Sequence, residues 1–442
     1  MAPISILHVN ASDISGGAAR AAYRIHQSIA EHGTDFGLDS RMRVIDKFSS
    51  DTTVVGGIPL GHGRLRRILR SRMNEWGRRG FRTCNPVLHS TAWPATGLGR
   101  ELNQRHSDGL TDLLHLHWLG DSTLSIEEVG RSSMSTVWTI HDQWAFCGAE
   151  HYTNLPGADA SASIAERFVT GYTPDSRPAN EIGPDLNRLT WRRKKRAWKR
   201  PIHIVCPSQW LANCVMRSAL MHDWPVSVIP NPIDVSGWSP VGKHHARRVL
   251  GLPQNKHMLL FGAMGGTNDP RKGADLLLEA LKALRGLLDA RKAADIELLV
   301  FGQVRPSRAP ESSFPIHYFG HLQDDISLKV LYSAADAMVI PSRQDNLPNT
   351  GLEALACGIP IVAFNTGGLP DIIDHKETGW LAKPFDVKDF ASGLEWILAD
   401  EMRNRALGER ARVVAVDRFA PAKVAAKYRD VYFSCLAYNT RK

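Results

Sequence analysis

The sequence predicts an α/β protein built from two doubly wound domains, each organised around a parallel sheet. A chain of 442 residues with 43% hydrophobic residues is too long for one ordinary core and too apolar for a disordered chain. Short apolar runs alternate with helical stretches in both halves, which is the pattern of a parallel sheet covered by helices. Between the halves, residues 226–240 join a strand-like run to three prolines and a glycine, and this punctuation predicts a domain boundary.

The N-terminal domain is predicted to span residues 1–225. Its opening run, ISILHVNAS, predicts a strand, Gly16 and Gly17 a turn, and the alanine-rich stretch that ends at Gly33 a helix. Further strand candidates, each leading into a loop, are LLHLHWLG (113–120), STVWTIHD (135–142) and the start of IHIVCPSQWLANCVM (202–216). Residues from about 154 to 190 are rich in Pro, Gly, Ser and Asp without a period, so we expect a long loop or lid there.

The C-terminal domain is predicted to span residues 226–418 and to repeat the same alternation. Its strand candidates lie at 258–266, 296–302 and 359–366, and its helix candidates at 275–288 and 350–358, with the stretches 317–320, 327–336 and 337–342 between them. The last stretch, 419–442, predicts a final amphipathic helix. This half is therefore expected to be a doubly wound nucleotide-binding fold.

Two classes of protein are excluded by what the sequence lacks. No apolar run approaches the ~20 residues that a membrane span requires, and the opening residues lack the basic region and cleavage site of a secretory signal. The six cysteines are scattered without a C-x-x-C pair, so they predict neither a zinc site nor a disulfide framework. We therefore expect a cytoplasmic protein with reduced thiols.

The net charge of +9 is concentrated in two segments. Residues 64–82 hold eight arginines against one glutamate, and residues 191–200 hold seven basic residues, which leaves 39 basic and 44 acidic residues elsewhere. Such a local excess predicts a polyanionic partner, and the apolar stripe within 64–82 is typical of an interfacial amphipathic helix. Peripheral contact with an anionic membrane is one hypothesis; a solvated helix that packs its stripe on its own domain is the other.

The stretch 341–373 is the most informative part of the chain. It contains a strand end, an acidic loop, a helix, a second strand and a glycine turn, and open α/β sheets bind ligands at such strand ends. Asp345 lies in the loop and Glu353 eight residues later in the first turns of the helix. A carboxylate there can accept hydrogen bonds from a ribose diol, while the helix N-terminus favours phosphate oxygens.

This stretch resembles the E-x7-E signature of the family 4 glycosyltransferases, with Asp345 in place of the first glutamate. The resemblance extends in family order to the first glycine turn, the HD at 141–142, the strings CPSQWL and VIPNPID, the PRKG at 270–273 and the final helix. It implies the GT-B architecture: two Rossmann-like domains that face each other across a cleft, with the C-terminal helix returning to the N-terminal domain. It also implies a nucleotide-diphosphate sugar donor bound mainly by the C-terminal domain, and metal-independent transfer with retention.

The resemblance assigns roles to the residues of the C-terminal motif. Glu353 would bind the ribose hydroxyls, and Asp345 would meet the donor sugar or orient the pyrophosphate side of the site. The alternatives are a glutamate favoured by the helix dipole and an Asx turn. A further set would bring backbone amides close to phosphate or sugar, or else serve turn geometry alone: Asn349, Thr350, Gly367 and Gly368.

Lys272 matches the family lysine that neutralises the departing diphosphate. The arginine usually found five or six positions earlier is replaced by Thr267 or Gly266, so the second phosphate cation is not identified. Arg271 is a weak substitute, and backbone amides of Gly265 and Gly266 would share this work. In the N-terminal domain, Gly16 and Gly17 would let the first loop approach the diphosphate and acceptor.

His141 matches the family histidine that contacts the donor sugar near the reacting carbon. Asp142 would fix its tautomer or cap a loop, and we assign His141 to sugar positioning rather than acid/base work. His115 and His117 alternate on one strand face, where metal ligation is the minor alternative to a buried or cleft-lining role. No metal site and no bound cofactor are predicted.

The leading hypothesis is thus a glycosyltransferase that acts on a glycan or polyprenyl-linked acceptor in surface or exopolysaccharide synthesis. A sugar-nucleotide epimerase or sugar-phosphate synthase of the same fold is the alternative, and product analysis without an acceptor separates them. A basic protein that binds membrane or nucleic acid without catalysis ranks lower, and no nucleic-acid partner is expected because no recognised module accompanies the basic runs. The sequence does not name the base, sugar, acceptor or linkage.

Overall fold

The computed structural model describes residues 3–57, 81–83, 87–93, 97–120, 123–153, 167–179, 181–262, 269–307, 311–322 and 324–440. The chain divides into two compact units, Met1–Pro232 with Pro421–Lys442, and Ile233–Ala420. The first unit extends beyond residue 225 because the short strand after it pairs with the preceding strand of the same sheet.

In the first unit, the described residues form a seven-stranded parallel sheet in the order β3-β2-β1-β4-β5-β6-β7. Its strands are β1 (Ile4–Ser12), β2 (Leu38–Asp46), β3 (Val54–Val55), β4 (Leu113–Leu116), β5 (Ser135–Thr139), β6 (His203–Cys206) and β7 (Val226–Val228). Its helices are α1 (Gly17–His32), α2 (Leu98–Ser107), α3 (Ile126–Arg131), α4 (Arg167–Thr170), α5 (Leu186–Ala197) and α6 (Gln209–Arg217). The strand order reverses between β1 and β4, which is the switch point where such sheets bind ligands.

The second unit repeats this topology, with a six-stranded parallel sheet in the order β10-β9-β8-β11-β12-β13 among the described residues. Its strands are β8 (His257–Gly262), β9 (Ile296–Phe301), β10 (Ile316–Tyr318), β11 (Ala337–Ile340), β12 (Ile361–Phe364) and β13 (Gly379–Ala382). Its helices are α7 (Lys243–Val249), α8 (Ala274–Leu287), α9 (Ala290–Ala294), α10 (Asp325–Ala334), α11 (Asn349–Ala356), α12 (Val387–Leu398) and α13 (Glu401–Phe419). Here the switch point lies between β8 and β11.

The last helix, α14 (Pro421–Thr440), belongs to the first unit. Its buried Val424, Tyr428 and Tyr432 pack in one cluster with Ile6 of β1 and Ile25 of α1. The predicted return of the C-terminal helix to the N-terminal domain is therefore confirmed. None of the helices that the structure describes is both long and apolar enough to traverse a lipid bilayer.

In the predicted loop or lid at 154–190, the structure departs from the prediction at two helices, while the described residues between them, 171–179 and 181–185, form loops and turns. Residues 167–170 form α4, and α5 begins at Leu186. Arg167 is buried and its guanidinium donates to the Asp185 carboxylate across 3.1 Å, while Phe168 lies in the core. An irregular composition concealed a packed segment because a few buried contacts, rather than periodicity, hold it. Residues 154–166 lie outside the described residues.

Candidate functional site

The candidate site of the second unit lies at its switch point, where the loops after β8 and β11 meet. Lys272 ends the short 3₁₀ turn Pro270–Lys272, and Asp345 lies in the loop between β11 and α11. The Lys272 ammonium donates to Asp345 Oδ2 across 2.6 Å, and Ser342 Oγ donates to the same oxygen across 3.3 Å. The two residues that the motifs predicted at this site are therefore in direct contact.

Backbone packing fixes the position of Lys272. Gly273 has φ of +66°, and a Cβ atom there would lie 2.0 Å from the carbonyl oxygen of Pro341, so only glycine fits. The amide of Arg343 donates to the Arg271 carbonyl across 2.7 Å, and its guanidinium forms a two-bond ion pair with Asp275 at 2.5 and 2.7 Å. The turn that carries Lys272 is thereby held against the end of β11.

Asp345 is held by its own backbone contact with the second glycine turn. Gly367 has φ of +56°, and a Cβ atom there would lie 2.2 Å from the Asp345 carbonyl oxygen. The amide of Gly368 donates to that same oxygen across 3.0 Å. The expectation that Gly368 offers its amide to phosphate is therefore corrected: this amide supports the Asp345 loop.

Glu353 lies in α11 with 4% of its surface exposed. Its Oε2 accepts a hydrogen bond of 3.0 Å from the hydroxyl of Tyr332, whose fully buried ring lies between those of Trp238 and Phe301. Tyr332 was not predicted from the sequence. The available signal was a tyrosine within an apolar helical stretch, since a buried hydroxyl requires a partner.

Asn349 and Thr350 occupy the first two positions of α11, after Pro348. The first amides of a helix have no acceptor within it and carry the positive end of the helix dipole. The first of these amides comes four residues after Asp345, the partner of Lys272.

The remaining predicted groups of this unit do not supply a second phosphate cation. Arg271 forms an ion pair of 2.6 Å with Asp269, two residues away, which holds its guanidinium beside its own turn. Gly265, Gly266 and Thr267 lie outside the described residues.

In the first unit, Gly16 and Gly17 connect β1 to α1 as predicted. Gly16 has φ of +100° and precedes the helix without a side-chain cap, and Gly17 is its first residue. An added Cβ atom at Gly16 would have no atom within 4 Å. Backbone conformation, not crowding, therefore requires glycine there.

His141 follows β5, and its Nε2 lies 3.3 Å from Nδ1 of His117. Burial lowers the pKa of His141 to about 4, although the charge of Asp142 opposes this shift. The ring is therefore neutral at physiological pH.

Asp142 caps the loop after β5, which was one of its two predicted roles. It accepts hydrogen bonds from the Trp144 amide (2.9 Å) and the Trp118 indole (3.0 Å), and it pairs with His151 at 2.6 Å. Asp142 therefore joins the loop after β5 to Trp118, Trp144 and His151.

His115 and His117 are almost wholly buried beside His8 of β1, and these three rings bring nitrogen atoms within 4.8 Å of one another. Both nitrogens of His115 are hydrogen-bonded, to Tyr432 at 2.7 Å and Thr139 at 2.8 Å. Those of His117 contact His8 and His141. Metal ligation would break these bonds, so the geometry favours a hydrogen-bonded cluster.

The basic segment 191–200 is only partly a surface feature. Arg193 pairs with Glu127 at 2.8 Å, and Lys194 is fully buried, where its ammonium donates to the carbonyls of Trp144, Cys147 and Gly148. The exposed cations of the segment are Arg192, Lys195, Arg196, Lys199 and Arg200. Of the other basic segment, 64–80 lies outside the described residues.

Comparison with known proteins decides the family. The profile described as "Glycosyl transferases group 1" matches residues 256–400. The chain is 31% identical over 376 residues to D-inositol 3-phosphate glycosyltransferase 2 of Catenulispora acidiphila, which covers 78% of this chain and 79% of that protein. The chain is a family 4 glycosyltransferase.

Shorter and more distant similarities agree with this assignment. The glycosyltransferase is 32% identical over 114 residues to N-acetyl-alpha-D-glucosaminyl L-malate synthase of Bacillus anthracis, across 26% of this chain and 29% of that enzyme. Its fold resembles sucrose-phosphate synthase of Thermosynechococcus elongatus (TM-score 0.65, 18% identity, 98% and 100% of the two chains). It also resembles WaaG, a glycosyltransferase involved in lipopolysaccharide biosynthesis (TM-score 0.60, 17% identity, 97% and 99%). The predicted GT-B class, with two Rossmann-like units, is confirmed.

Proposed function

We propose that this glycosyltransferase moves a sugar, with retention, from a nucleotide-diphosphate sugar to a glycan or lipid-linked glycan acceptor. The observation that carries the donor assignment is the Lys272–Asp345 contact of 2.6 Å at the switch point between β8 and β11. A fold neighbour, the Anabaena protein HepE, is described in complex with UDP-glucose (TM-score 0.60, 15% identity, 98% and 100% of the two chains), which supports a nucleotide-sugar donor.

Each group of the site has a role suited to such a donor. Glu353 binds the ribose hydroxyls, and the first amides of α11 bind diphosphate oxygens. Lys272 compensates the charge that develops on the departing diphosphate, which requires no metal ion. Asp345 orients Lys272 and meets the hydroxyls of the donor sugar. A short Asp suffices for the first role, since its carboxylate already reaches the ammonium.

His141 holds the donor sugar near its reacting carbon. The acceptor hydroxyl oxygen forms the new bond to that carbon as the bond to the leaving phosphate oxygen breaks, and the acceptor proton passes to that phosphate oxygen. Because this route asks no side chain to take the proton, catalysis rests on positioning and on charge stabilisation.

Two acceptor classes are supported by different observations. The exposed cations of 191–200 favour an acceptor presented at an anionic membrane surface, as in surface or exopolysaccharide synthesis. The 31% identity to D-inositol 3-phosphate glycosyltransferases favours a small phosphorylated polyol. The two classes differ in whether a lipid surface is needed.

The donor test is a panel of UDP-, GDP- and ADP-sugars in calorimetry and turnover assays, with glycan, lipid-linked and inositol phosphate acceptors. Lys272→Ala and Glu353→Ala should abolish turnover, and Lys282→Ala, at an exposed position of α8, is the matched control. Conversion of a donor without any acceptor would instead identify an epimerase.

The membrane test is pelleting with vesicles that contain anionic phospholipid. Replacing Lys195, Lys199 and Arg200 together by serine should weaken binding, and added salt should weaken it in the unmodified enzyme. Salt-insensitive or absent binding would reject the membrane contact and leave the donor assignment intact.

A further inference from the structure

A chain of three histidine rings runs through the first unit and ends at His141. His8 Nδ1 lies 2.9 Å from His117 Nε2, and His117 Nδ1 lies 3.3 Å from His141 Nε2. The rings are stacked in pairs, with interplanar angles of 13° and 25°. His8 belongs to β1 and His117 directly follows β4, so the chain begins at the switch point of this sheet.

The start of the chain determines where its protons lie. His8 is fully buried, and its Nε2 has no hydrogen-bond partner among the described residues. A buried N–H group without an acceptor is rarer in proteins than a buried acceptor without a donor. The proton of a neutral His8 therefore belongs on Nδ1, from which it is donated to His117 Nε2.

The remaining protons follow from the first. A neutral imidazole has one donor and one acceptor nitrogen. Since His117 accepts at Nε2, it carries its proton on Nδ1 and donates it to His141 Nε2. Since His141 accepts at Nε2, it carries its own proton on Nδ1.

We propose that His8 and His117 are positioning residues that fix His141 as a neutral ring protonated on Nδ1. This chain of histidine rings makes His141 a hydrogen-bond donor toward the sugar. It also engages the Nε2 lone pair that a general base would need. This inference deepens the proposed function, since it rests on the contact of His141 with the donor sugar. The pKa values of all three histidines are lowered by burial, which is consistent with uncharged rings.

The same geometry argues against Asp142 as the residue that sets this tautomer. Its carboxylate oxygens accept from the Trp118 indole, the Trp144 amide and His151. The tautomer of His141 is thus set from His8 in the sheet interior, two histidine rings away from the proposed contact with the sugar.

The direct test is long-range ¹H–¹⁵N NMR of histidine-labelled full-length enzyme at neutral pH, with His141 assigned by its loss in His141→Ala. We expect a protonated Nδ1 and an unprotonated Nε2 for His141. A His141 ring protonated on Nε2, or a mixture of the two tautomers, would overturn the proposal.

A pair of variants separates positioning from packing. In His117→Asn the side-chain amide nitrogen lies near the position of Nδ1 and can still donate to His141. In His117→Gln the side-chain amide lies near Nε2, where its oxygen can accept from His8 Nδ1, and the contact with His141 is lost. We expect His141 in His117→Gln to populate both tautomers, and kcat to fall about tenfold, as for one lost hydrogen bond. His117→Asn should restore the single tautomer and the original kcat.

Folding is monitored by thermal unfolding, and His8→Leu is the second variant if His117→Gln does not fold. His8→Leu removes the first donor of the histidine chain, so His141 should again populate both tautomers. An unchanged His141 signal in both variants would refute the chain. The outcomes distinguish this inference from the proposed function. Full activity in His141→Ala would reject the sugar contact whatever the tautomer of His141 in the unmodified enzyme. An inactive His141→Ala, together with a His141 protonated on Nε2 in the unmodified enzyme, would reject the histidine chain alone.

Discussion

Lys272 Nζ and Asp345 Oδ2 lie 2.6 Å apart and join the loops that follow two neighbouring strands, β8 and β11. Their side chains are 23% and 10% exposed, so the pair is partly shielded from solvent. Because the shielded carboxylate already holds the lysine side chain in place, that side chain loses little conformational entropy when an anionic ligand binds. In the proposed donor site, this contact would preorganise Lys272 rather than compete with the diphosphate.

This relationship predicts non-additive losses. Lys272→Ala should lower kcat/KM about 100-fold through lost charge stabilisation, and Asp345→Asn about tenfold because Lys272 is less well oriented. The double variant should resemble Lys272→Ala alone, since Asp345 acts partly through the lysine. Steady-state kinetics of the four-member cycle measures this, with Lys282→Ala as control. Fully additive losses would show that the two residues act independently.

The sequence predicted the location of this site but not its support. Asp345 and Glu353 could be placed because they follow a strand with a strong apolar pattern, and Lys272 could be placed by its match to the family motif. Tyr332 could not, since its contact with Glu353 depends on how α10 packs against α11. Strand β2, LDSRMRVID, was missed because its charged residues hide a half-buried alternation.

Likewise, the sequence of residues 191–200 does not predict which of its cationic side chains are buried. Lys194 differs from Lys195 only in the face of α5 on which it falls, and the register of that face is set by tertiary contacts. The direction of the histidine chain also needed coordinates, because it depends on an unpartnered nitrogen of His8.

Two glycines should be required for donor binding because of their backbone conformation. Gly273→Ala and Gly367→Ala place a Cβ atom 2.0 and 2.2 Å from a carbonyl oxygen at positive φ, so each should destabilise the second unit by about 2 kcal/mol or more. Both should weaken donor binding at least tenfold in calorimetry. Gly286→Ala, where a Cβ atom meets nothing within 4 Å, should instead stabilise the helix by about 0.5 kcal/mol. Equal effects at all three positions would contradict this argument.

Variants of Tyr332 should change mainly the stability of the second unit, whereas variants of Glu353 should change mainly its affinity for the donor. Tyr332→Phe removes the hydroxyl that donates to Glu353, so it should lower the free energy of unfolding by about 1 to 3 kcal/mol while changing UDP-sugar affinity less than tenfold. Glu353→Gln should lower that affinity at least tenfold, since an amide accepts ribose hydrogen bonds less strongly. Denaturant unfolding and calorimetry provide the two measurements. A Glu353→Gln enzyme with unchanged affinity would assign Glu353 to packing.

The buried Lys194 should stabilise the first unit. Lys194→Met leaves three carbonyls without their donor and should cost about 2 kcal/mol or more of unfolding free energy at pH 7, whereas Lys195→Met on the exposed face should cost little. Burial lowers the pKa of Lys194 to about 7 from the 10.5 of the unfolded chain. The unfolded chain thus binds more protons at Lys194 between these values, so the contribution of Lys194 to stability rises with pH. Between about pH 7 and 8, below the range in which the cysteine thiols of the unfolded chain ionise, the slope should be flatter in Lys194→Met. An equal slope in both methionine variants would refute this.

Acid should destabilise the first unit through its buried histidines. Burial lowers the pKa of His26 and His141 to about 4, and those of His8, His115 and His117 well below 6.5. Below pH 6.5 the unfolded chain therefore binds more protons, and the free energy of unfolding should fall by up to about 1.4 kcal/mol per pH unit for each histidine. Denaturant unfolding monitored by tryptophan fluorescence between about pH 6 and 5 measures the slope, because Lys194, with its pKa of about 7, is almost fully charged in both states there. His26→Gln, which removes one of the five rings, should reduce the slope by one proton; a flat profile in the unmodified enzyme would mean that the rings are not buried in solution.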